Sequence, residues 1–304
     1  EISECLVGSE MCIRDRCQDR ASGELSVKQR LLKLDTKGVL GMSIVNKHPD
    51  KMSPLGISLV ANDGITTSGV AHRSLAENGH NDVLLKYMED ALQKHHISPD
   101  ALQRHMDLIT SLKIKGLPIL RSPYPQDFTT QKGNFAEVFL AEYLSSTTDA
   151  QLPIYRLRYN TNPDQSMKGD DVLLFDLDAD PVRIIVGESK FRTTPDKQAV
   201  VDIVDGLVRS NKAGLPISLM FVAERLFQEG KSEIGQRVQN CALLFATNKL
   251  QIDYVGLLMS NQNAKNHINK HTDNKLHNLL MISLGMHAPQ TIVTQAFEEL
   301  ENGI

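Results

Sequence analysis

The chain has 304 residues, of which 41% are hydrophobic and 23% charged, with a formal net charge of -4. That is the composition of an ordinary globular protein with one large domain or a core plus an accessory part. No apolar run approaches the roughly 20 residues that cross a bilayer and no signal-peptide pattern is seen, so a cytoplasmic location without membrane contact is expected. Proteins that grip nucleic acid unaided are usually basic, so any such contact here must be local or shared with a partner.

The first segment stands apart. Leu6 to Asp15 reads as the translation of a transposase adapter used in sequencing libraries, and Glu1-Ile2 and Cys5 fit the flanking primer and adapter ends. Residues 1–16 are therefore expected to be an artefact and are excluded from the fold reasoning. The only Met before Cys17 is Met11, inside that segment, so the natural start is expected to be missing. With Cys5 and Cys12 set aside, Cys17 and Cys241 remain, without metal-ligand spacing and consistent with a reducing compartment.

Residues 17–120 read as an N-terminal accessory region. Leu40–Val45 and Leu55–Leu59 are expected as short strands, split by a polar turn over residues 46–50. Asn81–Gln93 has a helical apolar period, and Ser98-Pro99-Asp100 opens a second helix with Pro in its first turn.

The pattern changes beyond residue 120. Gly133–Ser145 reads as a helix and Leu152–Tyr159 as a strand. Val172–Leu177 and Val182–Val186 are apolar runs separated by Asp178-Ala179-Asp180-Pro181, the spacing of an antiparallel hairpin. A helix starts near Thr194-Pro195 and buries Ala199, Val200, Ile203, Val204 and Leu207. Ile217–Ala223 and Ile252–Met259 follow as buried strands. The expected order is α-β-β-β-α-β, in an α/β domain over residues 121–304.

The chemistry gathers at the hairpin. Residues two apart in a strand share a face, so Val182, Ile184, Val186, Glu188 and Lys190 line one side. On the facing strand Asp171 shares its side with Leu173, Phe175 and Leu177, whereas Asp170 shares its own with the acidic Asp176. Asp171 is thus the preferred ligand, with Asp170 in support. Two converging carboxylates suit Mg²⁺, with Mn²⁺ as an alternative, and a bound metal activates water for phosphodiester hydrolysis. Lys190 is the expected catalytic lysine. Glu137, on a helical stripe with Leu140, Ala141 and Leu144, is the candidate to complete the site. Glu-x-Lys alone has little specificity, since Glu229-Gly230-Lys231 repeats it; the hairpin context gives it weight. The alternative is an exposed Glu/Lys pair on an edge strand.

Lys168 to Phe175, then Ile184 to Arg192, together with the helix from Gly133 to Leu140, resemble the C-terminal domain of the HamA family, best over residues 120–260. The resemblance implies a restriction-endonuclease-like PD-(D/E)xK core with an N-terminal accessory region. It also implies a nuclease acting on DNA in Hachiman anti-phage defence, restrained by a helicase partner, HamB. Carried over by position, Asp171 and Glu188 are the metal ligands, Lys190 is catalytic and Glu137 supports them. Two other readings stay open: a non-catalytic helicase-binding module, and a restriction or repair nuclease of the same fold.

Weaker features complete the list. Arg192 follows Lys190 and either meets a phosphate or lies on the surface; Gln198, on the next helix, could face the site. His267 and His271, four apart, with His277 after them, could hold a metal, but the Asn, Lys and His around them favour a solvated surface. Lys265, Lys270 and Lys275 there could contact a DNA backbone. No P-loop occurs, so any ATP hydrolysis belongs to a partner.

Overall fold

Apolar side chains alternating along β-strands create two buried faces, and helices cover both. A computed structural model describes residues 44–115, 121–211 and 214–304, all within one unit, Val39–Ile304. The adapter-like segment 1–16, Cys17 and most of the strand expected at Leu40–Val45 lie outside the described residues; Ile44 and Val45 are buried in a bend.

A short helix α1 (Pro54–Ser58) leads into β1 (Leu59–Ile65) and β2 (Ala71–Glu77), followed by α2 (Asn81–His96) and α3 (Pro99–Ile114). Then come α4 (Phe128–Thr147), a 3-10 turn (Arg156–Tyr159), β3 (Val172–Asp176), β4 (Val182–Phe191) and α5 (Lys197–Ser210). The chain continues through α6 (Leu219–Gln228), α7 (Ser232–Ala246), β5 (Leu250–Ser260), α8 (Lys265–His271), β6 (Leu279–Gly285) and α9 (Pro289–Asn302). Among the described residues no helix is long and apolar enough to cross a membrane.

The strands form one mixed sheet in the order β1-β2-β6-β5-β4-β3, parallel from β2 to β4 and antiparallel at both edges. Val172, Leu174 and Ile185 pack against α2, α4 and α9 on one face. Leu173, Phe175, Ile184 and Val186 pack against α5, α6 and α7 on the other. Both faces of the parallel centre are thus covered, as parallel strands require. The protein is an α/β fold whose sheet does not divide at residue 120: β1 and β2 join it through β6.

Three expected strands take other forms. Leu55–Leu59 begins as α1, because Ser53 caps it by accepting from the Gly56 N–H (3.0 Å) and Pro54 fits its first turn. Leu152–Tyr159 pairs with β3 only at Gln151, which exchanges two backbone bonds with Phe175 (2.8 and 2.9 Å). Pro153 lacks the N–H that a continuing ladder needs, and the chain turns into the 3-10 segment instead. Ile217–Ala223 falls largely in α6, which buries Leu219, Val222, Ala223 and Leu226 at helical spacing. The local order is therefore α-β-β-α-α-α-β. The other helices and the hairpin stand, with α4 starting earlier, at an Asp127 cap, and α5 starting after an Asp196 cap.

Candidate active site at the end of the hairpin

Register creates the site. Val172 pairs with Gly187 in the β3–β4 ladder, so the next step outward sets Asp171 opposite Glu188. Asp171 Oδ2 accepts the Ser189 N–H (2.9 Å) and the Ser189 hydroxyl (3.1 Å), which fixes the carboxylate against β4. Glu188 lies over α5 at Gly206, where a side chain would collide with its carboxyl group. Lys190, two residues on and on the same face, forms an ion pair with Glu188 through Nζ and Oε1. Burial, and then the charge of Asp171, push the Glu188 carboxyl up to about 7, with Lys190 pulling the other way.

Glu137 approaches from α4. Its carboxylate accepts two bonds from Arg156, at 2.6 Å from Nε and 3.1 Å from Nη2. Arg156 Nη2 also donates to the Met167 carbonyl (3.2 Å) and lies 3.8 Å from Asp171 Oδ1. Burial pushes Glu137 up to about 7 despite the guanidinium. Burial would lower Arg156, but Glu137, then Asp171 and Asp170, hold it above its ordinary value. Arg156 thus links Glu137 to Asp171. The expected strand hid this role, since alternation there gave Arg156 no reason to turn toward α4. An arginine among apolar residues was the available signal.

Asp170 goes elsewhere. It is buried and exchanges bonds with Ser218 at the start of α6: its N–H donates to Ser218 Oγ (2.9 Å) and its Oδ2 accepts the Ser218 N–H (2.8 Å). Gly169 permits the approach, with φ of 116° and no room for a Cβ, which would meet Ser218 Oγ at 2.6 Å.

The remaining candidates are not drawn to the carboxylates. Arg192 reaches Asp202 (3.6 Å), and Gln198 also donates to Asp202 (2.8 Å). Lys275 is exposed and pairs with Asp205 (3.2 Å) and Asp273 (3.4 Å). Lys265 and Lys270 are exposed on α8. The rings of His267 and His271 lie 6.2 Å apart on the same helix. Among the described residues no group of three His, Cys, Asp or Glu side chains is poised around a metal. Asp171 and Glu188 offer two carboxylates, a donor set that fits Mg²⁺, which keeps several waters when protein ligands are few. Their mutual repulsion, visible in the raised Glu188, is what a cation between them would relieve.

The model of the family described as HamA matches residues 61–300. The chain belongs to the HamA family. The Hachiman protein HamA of Bacillus cereus is 33% identical over 237 residues, covering 77% of this chain and 85% of that protein. The HamA match begins within β1 and ends within α9, so it extends the resemblance read over 120–260 in both directions. It includes the edge hairpin β1–β2 as well as all four of Glu137, Asp171, Glu188 and Lys190.

Proposed function

We propose that this HamA-family chain is a metal-dependent deoxyribonuclease with a PD-(D/E)xK core, serving anti-phage defence under the control of a HamB-like helicase. The observation that carries the reading is Asp171 opposite Glu188 with Lys190 paired to Glu188. Family membership supports the defence role, and the relative named for the Hachiman system supports the helicase partner.

Asp171 and Glu188 would hold Mg²⁺, or Mn²⁺ in its place. When bound, the ion supplies a water of lowered pKa and neutralises charge on the phosphate. Lys190 carries its ammonium beside Glu188 and stabilises negative charge building on the scissile phosphate. Glu137 acts through Arg156, which neutralises it and steadies Asp171. Asp171 is further steadied by Ser189, so its carboxylate needs little reorganisation when charge develops nearby. The net charge of -4 favours a partner that delivers the DNA rather than autonomous binding.

Cleavage of plasmid and linear DNA with Mg²⁺, with and without the helicase and ATP, tests the reading. The parent should cut, and Asp171→Asn and Glu188→Gln should lose activity by about 100-fold or more while staying folded. A folded parent that cuts no DNA even with its helicase leaves only a binding module.

A further inference from the structure

A cavity of about 220 Å³ reaches Asp171 but not Glu188 or Lys190. Leu152, Ile154 and Phe221 form apolar walls, and Asp170 and Ser218 supply polar groups. A single water needs only ~10–15 Å³ and drug-sized ligands fill ~300–1,000 Å³, so the cavity is sized for one flat ring system. Nothing in the carboxylate site accounts for it.

Asp170 gives the cavity its chemistry. Its Oδ2 is taken by the Ser218 N–H, but Oδ1 is buried and has no hydrogen-bond partner. An unsatisfied buried acceptor costs about 1–3 kcal/mol, so a ligand bearing an N–H gains by reaching it. Every DNA base carries an N–H on its Watson–Crick edge, and in a duplex pairing uses that group. An acceptor there therefore selects for a base that is unpaired rather than for one base over another. Apolar walls that include an aromatic ring suit the flat faces of such a base, whatever its identity.

We infer that the cavity receives one unpaired nucleobase of the strand whose phosphate lies at Asp171 and Glu188, with Asp170 Oδ1 accepting an N–H from its Watson–Crick edge. The location of the phosphate rests on the nuclease reading; binding of the base needs no cleavage. The site thereby prefers single-stranded or unpaired DNA without a sequence requirement.

The test is equilibrium binding in EDTA, by fluorescence anisotropy, of three eight-nucleotide probes to the full chain. One is single-stranded, one is the same strand in a duplex, and one is an abasic backbone of equal length. The single strand should bind at least tenfold tighter than the duplex or the abasic probe. Asp170→Asn, nearly isosteric, turns the acceptor toward a donor and should shrink the single-strand to abasic ratio to about twofold without weakening the abasic probe. Equal affinity of the parent for single-stranded and abasic probes overturns the inference, as does an unchanged ratio in a folded Asp170→Asn. Mg²⁺-dependent cutting of single strands, measured alongside, separates the two readings. Cutting without a base preference removes the cavity alone, whereas a base preference without cutting keeps the cavity and removes the nuclease.

Discussion

Gly206 of α5 lies directly beneath Glu188: a Cβ on Gly206 would come within 2.7 Å of Glu188 Cδ and 2.8 Å of its Oε1. A glycine inside a helix costs about 1 kcal/mol relative to alanine, so its presence here needs a reason. The reason on view is room for the Glu188 carboxyl group. Gly206→Ala should therefore change thermal stability little, since the helix gains what the displaced side chain loses. Its Mg²⁺-dependent DNA cleavage should fall tenfold or more, because Glu188 must move from its place opposite Asp171. Parallel melting and cleavage assays check this, and full activity in the variant would contradict it.

The Glu137–Arg156 pair holds two elements that the sheet alone does not join, α4 and the turn after Gln151. Removing one partner of a buried ion pair costs about 3–5 kcal/mol, because the other is left charged and unpaired. Arg156→Met should lose stability on that scale, and Arg156→Lys should recover only part of it, since an ammonium cannot reproduce the bidentate contact. In the double variant with Glu137→Gln, the losses should fall short of additive by about 1–3 kcal/mol in urea unfolding. Strict additivity would show that the pair is not coupled.

His96 is buried between α2 and α4, where Nδ1 lies 2.8 Å from the Leu92 carbonyl and Nε2 lies 3.0 Å from Asn134 Nδ2. With Nδ1–H donating to the carbonyl and Nε2 accepting from the amide, both contacts suit the neutral ring. Burial lowers its pKa to about 4. In the unfolded chain the ring protonates below about 6.5 while the folded one stays neutral, so the unfolded state binds more protons over that interval. The contribution to stability is complete above pH 6.5 and is lost as pH falls toward 4. Compared with His96→Gln, the parent should lose its advantage by up to about 1.4 kcal/mol per pH unit across that window. Urea unfolding at pH 7, 6 and 5 reads the difference, and a gap that is constant or widens on acidification would contradict it.

Much of the site could be read from the chain because its parts are local. Two apolar runs around Asp178–Pro181 announce the hairpin, and alternation within β4 carries Glu188 and Lys190 to one face. What escaped depends on distant partners. β2 contains His72, Arg73 and Ser74, polar residues that look unsuited to a buried strand. In the fold Arg73 pairs with Asp63 on β1 (2.6 Å), His72 lies 2.9 Å from Ser283 on β6, and Ser74 bonds to Asn263. No local pattern reports such partners. Arg156 escaped for the same reason, and Ile217–Ala223 because an apolar run has the same look in a buried strand and a buried helix face.

The central claim is that Lys190 acts on charge at the phosphate while Asp171 and Glu188 hold the ion. The most direct measurement is Mg²⁺-dependent cleavage of single-stranded and plasmid DNA by the parent and by Lys190→Ala, with Mg²⁺ binding to each measured by calorimetry. The account predicts cleavage by the parent, a loss of about 100-fold or more in Lys190→Ala, and metal binding in both. Cleavage by Lys190→Ala at the parent's rate, or no Mg²⁺ binding and no cleavage by the parent with its helicase, would contradict it.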